Sequence, residues 1–194
     1  MKIYICEGKN EALLLKVLNV NIHEVDLEKR NKEELSNLET KIFRKCRKIS
    51  ERIGNKDIAK IEGGITKIHP LFESIIEKER IEADEIIVLC DNERNTLKKL
   101  EDLLQKIEEK SRKLGVEFKK QVLKKLGPPE PLFYYKEISY QNKVRVLIAN
   151  PKLEELVKKL TGKTLQGVKN EKIAILKEFM KCLKRKGINL EQYI

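Results

Sequence analysis

The sequence predicts an α/β fold in which a central, mostly parallel sheet is flanked by helices. Its clearest element is the uncharged run 86–90, which is typical of a strand buried on both faces of a sheet. Acidic residues and then leucines at helical spacing follow this run, and the same order of strand, acids and helix opens the chain. Because strands and helices alternate in this way, we expect a parallel sheet with helices on both faces.

The other elements follow from apolar spacing and turn residues. Strands are expected at 2–6 and 57–61, and the runs 132–140 and 143–149 suggest a hairpin across Gln141-Asn142. The stretch 21–27 fits either a short strand or a loop. Predicted helices are the segment after Asn10, which can cap it, and 31–53, 67–80, 95–114, 152–160 and 169–186.

Two features divide the chain. A strand–helix–strand crossover does not require the long amphipathic helix 31–53, so we interpret this helix as an insertion. The proline-rich stretch 127–131 is a stiff break, and the strongly basic helix 169–186 lies beyond it. We therefore predict an α/β domain at 1–150 and a basic helical carboxyl-terminal extension at 151–194, packed on that domain.

The charge balance favours a polyanionic partner. Lys and Arg number 42 against 31 Asp and Glu, a formal net charge of +11, and nucleic acid is the commonest partner of so basic a protein. Candidate contacts to its phosphates are Lys9, Lys181, Lys184 and Arg185. The alternative is a solvated lysine-rich surface like that of heat-adapted proteins, and the charge balance does not decide between the two.

Several other classes of protein are disfavoured. The four cysteines lack Cys-x-x-Cys spacing, which argues against a zinc site or a disulfide framework. The chain opens on a strand without the layout of a signal peptide, and no apolar run approaches the ~20 residues that cross a membrane. We expect a soluble cytoplasmic protein with no membrane partner, and a homodimer or a separate partner protein stays open.

Four acids follow the two clearest strands. Glu7 and Glu11 span a strand end and the first turn of a helix, and Asp91 and Glu93 stand in the loop after 86–90. Ligand chemistry in open α/β sheets gathers at the carboxyl ends of strands, so we expect these carboxylates to share one crevice. Mg²⁺ prefers such oxygen ligands, and two ions about 4 Å apart are the usual clamp on a phosphodiester. Alternatively, each acid only caps a helix or complements its dipole.

Glycines accompany these acids. Gly8 directly follows Glu7, and Gly63-Gly64 comes after the predicted strand 57–61. Since glycine lets the backbone approach another group closely, Gly8, Gly63 and Gly64 are candidates for close backbone contacts at the same site.

Two segments resemble the motifs of a known domain. Residues 5–11 (ICEGKNE), followed by Leu13 and Leu14, resemble the first motif of the Toprim domain, which topoisomerases, bacterial-type primases and OLD-family nucleases share. Residues 88–93 (VLCDNE) resemble its second motif, an apolar strand ending in Asp-x-Asp. Small stand-alone archaeal proteins of the OLD type are the most similar, because their first motif also has an acid at the position of Glu11. The resemblance covers roughly residues 1–150 and implies a Toprim-like, Rossmann-like sheet.

The resemblance also implies roles for the acids. Glu7, Asp91 and Glu93 would hold the catalytic Mg²⁺ or Mn²⁺, with Glu7 also a candidate general acid or base, and Glu11 would support a second ion. Glu93 replaces the aspartate of the family motif, which puts a tight two-metal geometry in doubt. Candidates for the family's later metal-site residues are Ser139, Lys143 and Glu154.

The expected activity is Mg²⁺-dependent phosphodiester chemistry on nucleic acid, by a nuclease or a phosphotransferase. Topoisomerase activity is not expected, because no Arg-Glu-Gly follows Glu93 and no nucleophilic tyrosine can be placed, and the sequence supplies no ATPase. One alternative is a non-catalytic nucleic-acid-binding or scaffolding module with the same fold. Another is a nucleotide-binding α/β protein whose acids only cap helices.

Overall fold

Short apolar runs of the chain assemble into one sheet. The computed structural model describes residues 2–26, 57–61, 63–78, 83–127 and 129–194, and the predicted insertion at 31–53 lies outside them. Within these ranges the strands are β1 (Lys2–Cys6), β2 (Ile22–Asp26), β3 (Asp57–Ile61), β4 (Glu85–Asp91), β5 (Lys119–Lys120), β6 (Lys124–Leu126), β7 (Phe133–Ser139) and β8 (Lys143–Ala149).

Most of the long strands of this open sheet run parallel. The strand order is β2-β3-β1-β4-β8-β7-β5, and β6 also pairs with β7. Each neighbouring pair from β2 to β8 is parallel, whereas β7 runs antiparallel to β8, β5 and β6. The predicted mostly parallel sheet and the hairpin across Gln141-Asn142 are therefore confirmed, and the ambiguous stretch 21–27 contains a strand.

The described residues also form five α-helices. They are α1 (Lys9–Val17), α2 (Ile65–Glu73), α3 (Thr96–Leu114), α4 (Leu153–Thr161) and α5 (Lys169–Arg185). A π-helical turn at Ser74–Lys78 continues α2, and 3₁₀ turns lie at Glu93–Asn95 and Leu190–Gln192. Among these helices, none combines the length and the apolar composition that crossing a bilayer requires.

Helices cover both faces of the sheet. Strand β4 is buried along its whole length, and its side chains alternate between the two faces. Ile86, Val88 and Cys90 pack with α2 and α3 on one face. Ile87 and Leu89 pack with α1 on the other face. Full burial of an aliphatic side chain contributes about 1.5–3 kcal/mol, so β4 stabilises both layers, and the prediction that 86–90 is buried on both faces is confirmed.

The last two helices pack on the same face as α1. Phe179 of α5 and Val157 of α4 share a hydrophobic cluster with Leu14 of α1 and Phe133 of β7. The ring centroids of Phe133 and Phe179 are 6.4 Å apart. Residues from both sides of position 150 thus contribute to one cluster, and the division into 1–150 and 151–194 stays a prediction.

The strand order changes direction at β1. From β1 the chain passes to β2 and β3 on one side, and α2 then carries it across to β4 on the other side. Such a switch point opens a crevice at the carboxyl ends of the two central strands, where α/β proteins bind ligands. Glu7 directly follows β1 and Asp91 ends β4, so both acids lie at this crevice.

Candidate active site

The register of β1 and β4 brings Glu7 and Asp91 together. Cys6 is opposite Leu89 in the parallel pair, and the amide of Glu7 donates a 3.0 Å hydrogen bond to the carbonyl of Leu89. Beyond this pair, the amide of Asp91 donates a 2.9 Å hydrogen bond to Oε2 of Glu7. Two acids that are far apart in the sequence are therefore direct neighbours.

A cavity of about 300 Å³ opens at these strand ends. Four of the described residues that line it are acidic, namely Glu7, Glu11, Asp91 and Glu154. Oδ1 of Asp91 accepts a 2.9 Å hydrogen bond from the amide of Leu153, the first residue of α4. Asp91 thereby holds the helix turn that carries Glu154. We call this space the carboxylate cavity, and its other described lining residues are Gly8, Lys9, Ile61, Gly63 and Gly64.

Glu11 is buried in the wall of the carboxylate cavity, with 6% of its surface exposed. Its Oε2 accepts a 2.9 Å hydrogen bond from the amide of Gly8, at the start of α1. A Cβ at position 8 would lie 3.1 Å from that oxygen, which is closer than ordinary packing. Gly8 therefore lets the carboxylate approach the backbone, and Glu11 caps α1 as well as lining the cavity.

Gly63 and Gly64 bring the backbone against the end of β1. Both amides donate hydrogen bonds of 3.0 Å to the carbonyl of Glu7. Gly64 adopts φ 125° and ψ 159°, a conformation that is essentially restricted to glycine. The close approach made by this glycine pair positions the start of α2 beside the carboxylate cavity.

The carboxyl groups of Glu7, Glu11 and Asp91 bind protons more tightly than exposed carboxyl groups do. Burial raises the pKa of Glu11 to about 8, and the charge of Asp91 adds to this effect. Burial also raises the pKa of Asp91 to about 7, with a further contribution from the charges of Glu7 and Glu154. The pKa of Glu7 is raised by burial, against the lowering effect of the hydrogen bond from the Asp91 amide. A cation bound among these carboxylates would favour their charged forms and lower these pKa values.

Glu93, the third predicted ligand, is not among the described residues that line the carboxylate cavity. It begins the 3₁₀ turn after β4, where its carboxylate forms an ion pair with Lys152, just before α4. This contact raises the pKa of Lys152. Oδ1 of the neighbouring Asn92 accepts a 3.1 Å hydrogen bond from the amide of Leu97, so Asn92 caps the start of α3. A metal-binding role for Glu93 stays a prediction.

The three candidates for the remaining metal-site residues of the family do not lie together in the structure. Glu154 lines the carboxylate cavity. Ser139 and Lys143 are opposite each other in the hairpin of β7 and β8, and Nζ of Lys143 lies 3.1 Å from the carboxylate of Glu85, at the start of β4. Ser139 and Lys143 therefore lie near the amino-terminal end of β4, at the opposite end of the strands from the carboxylate cavity. In the sequence, Glu154 looks like any acid in a first helical turn, so only the packing of α4 distinguishes it.

The basic residues predicted to contact nucleic acid lie in two places. Lys9 lines the carboxylate cavity. Lys181, Lys184 and Arg185 are exposed near the carboxyl end of α5, where Lys184 forms an ion pair of 3.0 Å with Glu191. The basic cluster of Lys181, Lys184 and Arg185 therefore lies at the end of α5 that is distant from the acids.

The amino-terminal end of α5 reaches the site instead. Nζ of Lys172 donates a 3.3 Å hydrogen bond to Oδ1 of Asn10, and Nδ2 of Asn10 donates a 2.6 Å hydrogen bond to Oε1 of Glu154. At 1.5 Å per residue, Lys172 and Lys184 are about 18 Å apart along the helix. Sequence reasoning followed the density of positive charge, which is greatest at the other end of α5, and so missed Lys172.

The possible metal ligands at this site are carboxylate oxygens. No group of three or more His, Cys, Asp or Glu side chains that could hold a metal ion is found in the described part of the chain. Mg²⁺ usually keeps several waters and takes one or two carboxylates from the protein. Oδ1 of Asp91 accepts the hydrogen bond of the Leu153 amide, and the carboxylate of Glu7 is adjacent to Asp91. Glu7 and Asp91 could therefore hold such an ion together with water.

No protein-family model, curated protein or solved structure matches the chain. The resemblance of residues 5–11 and 88–93 to the Toprim motifs therefore stays a prediction.

Proposed function

We propose that the protein carries out Mg²⁺-dependent phosphodiester chemistry on nucleic acid, as a nuclease of Toprim-like architecture. The convergence of Glu7 and Asp91 at the strand switch point is the observation that carries this proposal. The adjacent, parallel placement of β1 and β4 supports the arrangement that the two Toprim-like motifs imply. The net charge of +11 and the lysine in the cavity wall support a polyanionic substrate.

Glu7 and Asp91 have the central roles in this proposal. Their carboxylates would hold Mg²⁺ or Mn²⁺, and the bound ion would stabilise the charge that develops on the phosphoryl group. Glu7 is also the candidate general base that would accept a proton from the attacking water, as the resemblance implies. A bond forms between the water oxygen and phosphorus, the bond from phosphorus to the leaving sugar oxygen breaks, and a solvent proton completes the leaving hydroxyl.

The neighbouring residues position these groups. Glu154, held by its 2.6 Å hydrogen bond to Asn10, presents a further carboxylate to the cavity. Lys9, the first residue of α1, supplies positive charge for a substrate phosphate. Glu11 is engaged with the amide of Gly8, so its proposed support of a second ion requires that this carboxylate lose its proton.

Metal-dependent cleavage tests the proposal. Labelled single- and double-stranded DNA and RNA are incubated with the protein in Mg²⁺, Mn²⁺ or EDTA, together with the isosteric variants Glu7→Gln and Asp91→Asn. Each amide oxygen can still accept the hydrogen bond that the carboxylate accepts, so the fold should be retained. We expect cleavage by the wild type and by the control Glu109→Gln, which changes an exposed acid of α3, and none by either site variant. Cleavage that survives both site variants would refute the assignment.

A non-catalytic nucleic-acid-binding or scaffolding module is the second candidate. The ion pair between Glu93 and Lys152 favours it, because this contact engages one of the expected ligands. Salt-sensitive binding without turnover in Mg²⁺ and Mn²⁺ would establish this function. If the protein neither binds nor cleaves nucleic acid, the remaining interpretation is that these acids only cap helices.

A further inference from the structure

A second cavity, of about 240 Å³, adjoins the carboxylate cavity. Lys9 and Ile61 line both spaces, so the two are contiguous. Three of the described residues around the second cavity are lysines, and none of those described there carries a carboxylate. We call it the lysine pocket, and its described lining residues are Lys9, Ala12, Leu13, Ile61, Gly167, Lys169 and Lys172.

Asn10 links the walls of the two cavities. Its amide nitrogen donates to Glu154 of the carboxylate cavity at 2.6 Å, and its amide oxygen accepts from Lys172 of the lysine pocket at 3.3 Å. Asn10 is in the first turn of α1, so a single helix makes both contacts. The negative and positive compartments therefore have a defined spacing.

The loop before α5 shapes the far wall of the lysine pocket. Gly167 has φ 92°, and a Cβ at this position would clash with Oε2 of Glu171. That oxygen accepts a 3.1 Å hydrogen bond from the amide of Val168, so the carboxylate of Glu171 is engaged with the loop backbone. Lys169 and Lys172, which follow the loop, supply the charge that this wall presents to the pocket.

We propose that the lysine pocket binds the nucleotide next to the scissile phosphate. The lysines contact its backbone phosphate, and its sugar lies against the apolar side chains of Ala12, Leu13 and Ile61. Lysine binds phosphate as a point charge and reads no sequence, so this contact fixes where the strand lies and leaves base preference unspecified. The inference rests on the proposed function and adds a substrate subsite, formed by α1 and α5, to the site of the acids.

Binding at the lysine pocket should not require metal. The lysines carry their charge without a cation, whereas the carboxylate cavity needs one to accept a phosphate. Affinity measured in EDTA therefore reports on the lysine pocket, and cleavage measured in Mg²⁺ reports on the carboxylate cavity.

The test compares a pair of lysines at the pocket with a pair of exposed lysines on α3. Fluorescence anisotropy in EDTA measures binding of a fluorescein-labelled single-stranded oligonucleotide over a series of salt concentrations. Lys169→Ala with Lys172→Ala should weaken binding about tenfold or more and reduce the salt slope by about one for each lysine that contacts phosphate. Lys98→Ala with Lys106→Ala removes the same charge from exposed positions of α3, which packs on the opposite face of the sheet, and should change the affinity less than about twofold. Lys172→Arg, which keeps the charge, should retain binding, and circular dichroism checks the fold of each variant.

The outcomes separate the two proposals. Loss of binding in the pocket variant alone, together with Mg²⁺-dependent cleavage by the wild type, supports the subsite. The same loss without cleavage by the wild type overturns its place beside a scissile phosphate and leaves a pocket that binds phosphate. Equal losses in the two double variants overturn the subsite and leave the carboxylate chemistry in place. If the wild type does not bind the oligonucleotide in EDTA, the subsite is wrong; if it also cleaves no nucleic acid in Mg²⁺ or Mn²⁺, the proposed function is wrong as well.

Discussion

The amide of Asp91 donates a 2.9 Å hydrogen bond to Oε2 of Glu7, across 84 positions of sequence. This contact joins the ends of β1 and β4, and it holds two carboxyl groups beside each other in a cavity that Glu11 and Glu154 also line. Burial raises the pKa of Glu7 and Asp91, and the nearby negative charges of Glu93 and Glu154 add to the effect. The fold thus maintains an arrangement that protons or a cation can stabilise.

Metal binding should stabilise the protein more at high pH than at low pH. The pKa of Asp91 is raised to about 7, so a cation competes with a proton at pH 5.5 and meets a largely charged carboxylate at pH 8. We expect Mg²⁺ or Mn²⁺ to raise the melting temperature by several degrees at pH 8 and by less at pH 5.5. Differential scanning fluorimetry measures both. Glu7→Gln and Asp91→Asn should abolish the effect and Glu109→Gln should retain it; an identical metal response in all four proteins would contradict the site.

Without metal, the stability of the protein should fall as the pH rises. The pKa of Glu11 is raised from 4.5 to about 8 in the folded state, so its contribution is fully present below pH 4.5 and is lost as the pH rises through about 8. Between these two values the folded state binds a proton that the unfolded state has released, and the free energy of unfolding falls by up to about 1.4 kcal/mol per pH unit.

Glu11→Gln should therefore flatten the dependence of unfolding on pH. The neutral amide can still accept the hydrogen bond from Gly8 and carries no charge to be desolvated. Urea unfolding in EDTA at pH 5 and pH 8 measures the change, and Glu109→Gln, an exposed acid, serves as the control. Parallel profiles for the wild type and Glu11→Gln would show that Glu11 does not titrate in this way.

Alanine at position 64 should destabilise the fold more than alanine at position 115. Gly64 has φ 125° and ψ 159°, which a side chain strongly disfavours, whereas Gly115 has the common left-handed conformation after a helix, with φ 65° and ψ 24°. A Cβ would meet no described atom within 4 Å at either site, so the comparison isolates backbone strain. Losses of on the order of 2 kcal/mol for Gly64→Ala and about 1 kcal/mol for Gly115→Ala are expected. Chemical unfolding measures both, and equal losses would mean that the loop at Gly64 relaxes.

Glu93→Gln should reduce metal-dependent cleavage much less than Asp91→Asn. The carboxylate of Glu93 pairs with Lys152, which leaves it outside the described lining of the carboxylate cavity. Breaking this partly exposed pair should change stability by at most about 1 kcal/mol. Steady-state cleavage by the two variants in Mg²⁺ measures the difference. Comparable losses would show that Glu93 leaves Lys152 to ligate the ion, as the sequence motif predicts.

Local patterns in the sequence were enough to place the central strand and its acids. An uncharged run can be buried on both faces only inside a sheet covered by two layers of helices, so 86–90 predicted the environment of β4. The acids at the ends of β1 and β4 could likewise be assigned to one site, because the carboxyl ends of parallel strands lie at the same end of the sheet. The short strands β5 and β6 escaped this reasoning, since their lysine-rich sequence has no strand pattern and they form through pairing with β7.

The sequence by itself determined that Glu7, Glu11 and Asp91 stand at strand ends, because apolar periodicity is a local property that reports which segments must be buried. Only the tertiary structure decided which other groups join them. The amide of Leu153 places Glu154 beside Asp91, Lys152 pairs with Glu93, and the packing of α5 against α1 brings Lys172 to the site while Lys184 lies far away. These contacts depend on strand order and on helix packing between distant segments. Neither can be deduced from the spacing of residues along the chain.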